Sequence, residues 1–193
     1  MTTSRDREIL LDDFLAASAR GGDRKAFGAL AARWQSRLVR HAWRLTGDAD
    51  AARDIAQDAW GSIARELPRL DDSAAFPAFA FRIVTRRAAD FIRRQRRQRA
   101  LMSAAAAEPP PASDNGEAAE FASAAPALGR ALGNLPPDQR AAIALFYLED
   151  LTIPEIAAAL DVPAGTVKTR LMAAREKLKT AFGVTKEKVD EQA

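Results

Sequence analysis

The segment Thr152–Lys179 constrains the fold more than any other part of the chain. Thr152 and Glu155 stand three residues apart at the start of an apolar-periodic run, which is the spacing of a helix capping box. Asp161, Val162 and Pro163 then predict a tight turn, and a second amphipathic run follows directly. Two short helices joined by such a turn predict a helix-turn-helix, whose second helix would lie in the DNA major groove.

The second helix of this motif carries the side chains that would contact DNA. With Val167 and Leu171 facing the core, basic, hydroxyl and thioether groups are left to face outward or sideways. Lys and Arg can contact guanine, whereas Thr and Met can touch the thymine methyl group. An ordinary helical hairpin with a solvated charged face is the alternative interpretation. The DNA-binding candidates are Thr166, Lys168, Thr169, Arg170, Met172 and Arg175.

Composition favours helices and excludes several kinds of chemistry. The chain has abundant Ala and only 7% aromatic residues, and its 193 residues suit one large domain or two small ones. It has no Cys and a single His, His41, so we expect no metal site, no cofactor and no enzymatic activity. His41 lies off the main apolar line of its helix, which predicts a surface position. The sequence has no membrane-spanning apolar run and no signal peptide at its N-terminus, so we expect a cytoplasmic protein without membrane insertion.

The charges are arranged in three blocks, although the net charge is only +3. Eight arginines fall between Arg82 and Arg99, opposed there only by Asp90. The stretch 100–129 has no Lys or Arg and carries four acidic residues, whereas Lys168–Lys179 is basic again. This order predicts two contacts with a polyanion on either side of an acidic connection.

Aromatic residues are interleaved with the arginine block. Phe79, Phe81 and Phe91 lie within or beside it, and exposed aromatic rings can stack on unpaired bases while arginines neutralise phosphates. The alternative is a solubilising helix end whose aromatic residues belong to the core. The pattern favours a nucleic acid without distinguishing DNA from RNA.

An acidic strip precedes the arginine block. Asp54 and Asp58 are four residues apart, and Gln57 shares their helix face. Acidic residues stabilise a helix near its N-terminus, but these two lie deeper than the first turn. A protein partner is therefore the second interpretation of this strip.

The periodicity along the chain predicts an all-α fold with two small helical domains. Helices are expected from about residue 5 to 20, 23 to 46, 48 to 67 and 76 to 97, followed by the helices of the C-terminal half. The predicted organisation is an N-terminal domain over 1–99, a flexible acidic linker over 100–125 and a helix-turn-helix domain over 126–193.

The order of these parts resembles the extracytoplasmic-function sigma factors of bacterial RNA polymerase. The resemblance rests on DADAARDIAQDAW from Asp48, on FPAFAFRIVTRRAADFIRRQRR from Phe76, and on the long stretch from Leu132 to Lys179, LGNLPPDQRAAIALFYLEDLTIPEIAAALDVPAGTVKTRLMAAREKLK. It implies an alternative sigma factor that directs core RNA polymerase to promoter DNA and is controlled by an anti-sigma factor. A sigma-like decoy that only binds an anti-sigma factor is the alternative. A polymerase-independent regulator would not need the acidic strip.

The resemblance also implies a role for particular positions. Asp54, Gln57 and Asp58 would contact the polymerase clamp, and the loop from Leu70 to Ala75 would hold a flipped base of the minus-10 element. The helix after that loop would follow the melted strand, and the recognition helix would engage the minus-35 element. The minus-10 candidates are Leu70, Asp71, Asp72, Ser73, Phe79, Arg82, Arg86, Arg87, Arg93 and Arg94.

Positions in both halves of the chain depart from the family pattern, including Ala173 and Ala174, which leave part of the recognition helix without side-chain donors. Arg86 stands where the family often has Asn, and Phe79 stands where it often has Trp. Asp161 stands in the turn where Gly is usual, and Asp tolerates a left-handed backbone better than most residues.

Overall fold

The computed structural model describes residues 4–105 and 126–183. Within these two ranges the chain is helical and has no strand, so the predicted all-α fold is confirmed. Two short 3-10 turns, Leu67–Arg69 and Ser73–Ala75, connect the third and fourth helices. The helices are α1 (Ser4–Arg20), α2 (Arg24–Thr46), α3 (Ala49–Glu66), α4 (Phe76–Ala105), α5 (Pro126–Gly133), α6 (Pro137–Tyr147), α7 (Ile153–Leu160) and α8 (Ala164–Ala181).

Local capping chemistry sets the bounds of α2 and the start of α3. The Asp23 carboxylate accepts hydrogen bonds from the amides of Lys25 and Ala26 at 2.8 and 3.1 Å, which satisfies free donors of the first turn of α2. Gly47 ends α2 in the left-handed conformation, with φ 72°. The Asp48 carboxylate then accepts a hydrogen bond from the Ala51 amide at 2.9 Å, so α3 starts after a single connecting turn.

The predicted helix-turn-helix is present in α7 and α8. The Thr152 hydroxyl caps the Glu155 amide, and the Glu155 carboxylate accepts a hydrogen bond from the Thr152 amide at 2.7 Å, which completes the capping box. Asp161 ends α7 in the left-handed region, with φ 56° and ψ 47°. Val167 and Leu171 of α8 are buried against the preceding helices.

Helix α4 extends beyond its predicted end. It was expected to end near Arg97, yet it continues to Ala105 and therefore passes through the expected domain boundary at residue 99. The added residues include several Ala and no Gly or Pro, so nothing in that stretch opposes helix propagation. The rest of the predicted linker, 106–125, lies outside the described residues.

The surface position expected for His41 is wrong. Its side chain is fully buried, its Nε2 lies 2.9 Å from the Thr85 hydroxyl, and its ring packs edge-on against Phe81. Helix α2 is covered by α1, α3, α4 and α6, so a residue off its main apolar line is still enclosed. Burial, reinforced by the charge of Arg44, lowers the pKa of His41 from 6.5 to about 3.

The two halves of the molecule share one hydrophobic core. Helix α6 packs against α2, and α7 packs against α4, so apolar side chains of both halves form a continuous cluster. None of the helices in the described ranges is long and apolar enough to cross a membrane.

Candidate DNA and polymerase interfaces

The exposed face of α8 is the first candidate DNA surface. Because Val167 and Leu171 point into the core, Lys168, Thr169 and Met172 project into solvent, and Met172 is 62% exposed. The Thr169 hydroxyl donates a hydrogen bond to the Gly165 carbonyl at 3.1 Å, which leaves its methyl group and its oxygen lone pairs for a partner. This face offers one cation, one hydroxyl and one apolar group to a groove.

Two other candidates of this region are held by neighbours, and a third is half-buried. Arg170 is half-buried, and its Nε lies 3.2 Å from the Asp138 carboxylate on α6. The Arg175 Nε donates a hydrogen bond to the Tyr147 hydroxyl at 2.9 Å, and its guanidinium lies over that ring. Thr166 is half-buried in the first turn of α8. The two arginines are therefore oriented by α6 before any DNA is present, so each would have to share or leave its neighbour to contact a phosphate.

The candidate arginines of α4 differ in their exposure and partners. Arg93 and Arg94 are exposed, and Arg93 forms an ion pair with Asp90 one turn away. Arg87 is half-buried, donates a hydrogen bond to the Ser62 hydroxyl at 2.6 Å and lies 3.5 Å from the Asp58 carboxylate. Arg82 is half-buried, whereas Arg86 is exposed and ion-paired with a residue of the C-terminal domain. Arginines of this helix thus form a basic surface that is already partly neutralised.

The aromatic residues interleaved with these arginines belong mainly to the core. Phe79 is 7% exposed and Phe81 is fully buried, while Phe91 is half-buried. The ring of Phe79 packs against Phe76, which in turn packs on Trp34. Phe79 and Phe81 are thus packed as the alternative interpretation of these aromatic residues has it, and the contact of Phe79 with an unpaired base stays a prediction.

The loop between α3 and α4 presents a small polar surface. Asp71 and Asp72 are exposed, and the Asp72 carboxylate accepts a hydrogen bond from the Ala74 amide at 3.0 Å, which caps the short turn that follows. Leu70 is half-buried against the core. The Ser73 hydroxyl donates a hydrogen bond to Asp13 of α1, a contact 60 residues away in sequence. Sequence reasoning missed Asp13, because no periodic pattern links an acidic residue of α1 to a loop 60 residues later.

The acidic strip lies on the outer face of α3. Asp54, Gln57 and Asp58 are all exposed, while Ile55 and Ala59 of the same helix are buried. The face is therefore open to a protein surface. Asp58 is also the ion-pair partner of Arg87, so this strip borders the basic face of α4.

Two protein-family models match the parts of the chain that carry these surfaces. The model described as sigma-70 region 2 matches residues 30–98, and the model described as sigma-70 region 4 matches residues 126–178. Together the two matches cover more than half of the chain. The first contains the acidic strip, the loop and the basic part of α4, and the second contains the helix-turn-helix.

Individual proteins support the same assignment. The ECF RNA polymerase sigma-E factor of Escherichia coli K12 is 29% identical over 178 residues, which are 88% of this chain and 93% of that protein. The ECF sigma factor SigE of Mycolicibacterium smegmatis is 32% identical over 145 residues, covering 74% of this chain and 56% of that one.

Two solved structures share the fold. CnrH, solved in complex with the cytosolic domain of CnrY, superposes with a TM-score of 0.65 at 27% identity, covering 90% of this chain and 98% of CnrH. The sigma factor RpoE of Bartonella quintana, solved with the anti-sigma factor NepR, gives 0.63 at 22% identity, covering 84% and 99%. Sigma factors are DNA-binding transcription regulators rather than enzymes. With both sigma regions matched in order and relatives of one type along most of its length, the chain belongs to the extracytoplasmic-function sigma factors of the sigma-70 family.

Proposed function

We propose that this protein directs core RNA polymerase to specific promoters through three surfaces. The exposed acidic strip of α3 binds the polymerase clamp, α4 and the preceding loop bind the minus-10 element, and α8 binds the minus-35 element. The observation that carries the proposal is the outward face of α8, where Lys168, Thr169 and Met172 project from a packed helix-turn-helix. Such a face can contact base edges in a major groove.

The N-terminal domain supplies the contacts for strand opening. Arg93 and Arg94 are exposed on the basic part of α4, where they can accompany phosphates of a single strand. Flipping a base out of the duplex costs a few kcal/mol, and contacts to the flipped base offset that cost. Asp71 and Asp72 are the exposed polar side chains of the loop and are the acceptors available for such a base.

Control by an anti-sigma factor is part of the proposal. CnrH, which shares 27% identity and nearly its whole length with this chain, was solved with the cytosolic domain of CnrY. A similar regulatory partner would hold this protein inactive until a signal arrives. The protein would then act in the cytoplasm, where core polymerase and the chromosome are found.

Run-off transcription with purified core polymerase tests the proposed function. The full chain should start transcripts from a subset of genomic fragments, and core polymerase alone should not. The Asp54→Arg variant should lose binding to core polymerase by more than about 100-fold, since charge reversal in a complementary interface costs several kcal/mol. Asp50→Arg, at the exposed N-terminal end of α3, is the matched control for the charge change.

Other outcomes would point to the alternatives. Tight binding to an anti-sigma factor without initiation on any fragment would favour the decoy. Sequence-specific DNA binding at physiological salt without polymerase would favour an independent regulator. Survival of core co-purification in the Asp54→Arg variant would contradict the clamp assignment.

A further inference from the structure

The loop of residues 70–75, between α3 and α4, is joined to α1 by one side-chain hydrogen bond. The Ser73 hydroxyl donates this bond to the carboxylate of Asp13. Within residues 4–105 and 126–183, no other side-chain hydrogen bond connects the loop to a neighbouring helix. Because Asp71 and Asp72 of this loop are exposed, the Ser73 contact is the polar restraint on the segment that presents them.

Asp13 belongs to a helix that is itself fixed in place. Leu15 and Ala16 of α1 are buried in the core. The Asp12 carboxylate accepts a hydrogen bond from the Arg33 Nε at 2.6 Å, which joins α1 to α2. Successive residues of a helix project about 100° apart, so Asp12 contacts α2 while Asp13 contacts the loop. A displacement of Asp13 would therefore require a displacement of α1.

The hydrogen bond between Ser73 and Asp13 is of a strong type. Asp13 is half-buried and forms no ion pair in the part of the chain that the structure describes. A hydroxyl that donates to a carboxylate forms a charge-assisted hydrogen bond, which is roughly twice as strong as one between neutral groups. Loss of the Ser73 hydroxyl would also leave the half-buried carboxylate without its donor, which carries a desolvation cost. Both effects favour the conformation in which the loop contacts α1.

Packing alone does not fix the loop at this point. Asp13, Ser73 and Ala74 line a cavity of about 480 Å³. Side chains beside open space have fewer neighbours to restrict their motion than side chains in a close-packed core. The hydrogen bond therefore supplies a restraint on the orientation of Ser73 that van der Waals contact does not supply.

The conformation of Ser73 determines the orientation of Asp72 through the short turn Ser73–Ala75. The Asp72 carboxylate accepts a hydrogen bond from the Ala74 amide at 3.0 Å, and the Asp72 carbonyl accepts one from the Ala75 amide at 3.2 Å. Both bonds depend on the shape of the turn, and Ser73 is its first residue. A change in the position of Ser73 is thus transmitted to the exposed acceptor beside it.

We propose that Asp13 is a positioning residue for promoter recognition. Through Ser73 it holds the loop of residues 70–75 in one conformation, so that Asp71 and Asp72 are oriented to accept hydrogen bonds from a flipped base. Asp13 lies outside the match to sigma-70 region 2, which begins at residue 30, so α1 adds a determinant that this family model does not contain. The role of Asp13 in promoter recognition rests on the proposed function, whereas its restraint of the loop does not.

Nitrogen-15 relaxation of the full-length protein tests the restraint of the loop. In the wild type, the amides of Ser73 and Ala74 should have order parameters near about 0.85, as in a rigid backbone. Asp13→Ala and Ser73→Ala should lower these values below about 0.6, as in flexible loops. Ser73→Thr keeps the hydroxyl, and the adjacent cavity leaves room for its methyl group, so it should retain the wild-type values. Unchanged order parameters in both alanine variants would overturn the proposal.

A control separates loss of this contact from a general effect of charge. Glu8→Ala removes a negative charge from an exposed position of α1, and it should leave the order parameters of the loop unchanged. Circular dichroism checks that all variants stay helical. Loss of order in Glu8→Ala as well would show that the charge of α1, rather than the contact with Ser73, restrains the loop.

Run-off transcription with core polymerase tests the consequence for promoter recognition. The templates are one promoter with each of the four bases at the position of the flipped base. The ratio of initiation between the best and the worst base should fall by about five-fold or more in Asp13→Ala and in Ser73→Ala, because the acceptors of the loop are no longer held in place. Ser73→Thr should keep the wild-type ratio. The double variant Asp13→Ala/Ser73→Ala should match the single variants, because both substitutions remove the same contact.

The results distinguish the positioning role from the proposed function. If the wild type initiates on no template but both alanine variants lose order in the loop, the proposed function is wrong and the restraint stands. If the wild type discriminates among the bases and Asp13→Ala does so equally, the proposed function stands and the positioning role is wrong. A uniform loss of initiation on all four templates, with an unchanged ratio, also contradicts the positioning role, because general destabilisation produces that result.

Discussion

Helix α4, proposed to bind the minus-10 element, and helix α8, proposed to bind the minus-35 element, differ in how much of their basic charge is already paired within the protein. On α4, three of the five candidate arginines, Arg86, Arg87 and Arg93, form ion pairs with carboxylates. On α8, Arg170 has a carboxylate partner, while Lys168 is exposed. Phosphates must therefore compete with carboxylates on α4 far more than on α8. Lys168 of α8 is open to duplex DNA in this structure, whereas Arg86, Arg87 and Arg93 of α4 become fully available only when their carboxylate partners are displaced.

The largest loss of DNA-binding free energy is expected for a substitution of Lys168, and it tests the difference between α8 and α4. In the holoenzyme, Lys168→Ala should weaken binding to a promoter fragment by about 1–3 kcal/mol if the side chain contacts a base. Arg93→Ala should cost less than about 1 kcal/mol, because Asp90 already neutralises part of its charge. Fluorescence anisotropy with labelled promoter DNA measures both.

A control separates base contacts from phosphate contacts in this experiment. Lys177 is exposed further along α8 and is suited to a phosphate. Lys177→Ala should weaken binding to all sequences alike, whereas Lys168→Ala should lose the preference for the minus-35 sequence. A minus-35 footprint that is unchanged in Lys168→Ala would remove Lys168 from the interface.

A second prediction concerns the buried His41, which has no counterpart in the sequence of the C-terminal half. The only His of the chain is buried in the N-terminal bundle, with its pKa lowered to about 3. The unfolded chain takes up a proton near pH 6.5 and the folded chain does not, so stability is full above that pH and falls as the solution is acidified. Between pH 7.5 and 5 the loss from this group should be about 2 kcal/mol.

Urea unfolding at the two pH values measures this loss. The His41→Gln variant lacks the titrating ring, so the difference in its free energy of unfolding between pH 7.5 and 5 should be smaller by about 2 kcal/mol. Titrations common to both proteins cancel in the comparison. Equal pH dependence in the two proteins would show that the pKa of His41 is not lowered by folding.

The smallest expected effect is a change in the pKa of Asp161, which forms the exposed ion pair with Arg86. A hydrogen bond and the charge of Arg86, with a minor contribution from Arg82, lower the pKa of Asp161 below its usual 3.8. This stabilises the folded protein above the ordinary Asp pKa and is lost as the pH falls through the lowered value. Arg86→Gln should therefore raise the pKa of Asp161, and Arg93→Gln should not. Titration of the carboxyl carbon by nuclear magnetic resonance distinguishes the two results.

Features that depend on neighbouring residues could be predicted from the sequence. Asp23 and Asp48 cap their helices, Gly47 ends α2, and Thr152 and Glu155 form the capping box, because each interaction spans only a few residues. The outward side chains of α8 follow from helical periodicity once Val167 and Leu171 are assigned to the core.

Features that depend on tertiary contacts could not be predicted in this way. The burial of His41 and Phe79 requires knowing that several helices cover α2 and α4. The Arg37–Glu149 and Arg86–Asp161 pairs join residues 112 and 75 positions apart, and no periodic pattern in one sequence links such positions. The same holds for Asp13, which fixes the Ser73 hydroxyl from a different helix.

The length of α4 has a mechanical consequence. Phe91 is the last residue of α4 that packs against the hydrophobic core, yet the helix continues to Ala105, which is about 21 Å further at 1.5 Å per residue. The C-terminal end of α4 is therefore held in place only by the packing of its N-terminal part against the neighbouring helices. A rotation of the N-terminal helices by about 20° would move the end of the helix sideways by roughly 7 Å over this length. The orientation of the N-terminal helices therefore determines the position of Ala105, from which the chain continues towards the C-terminal domain.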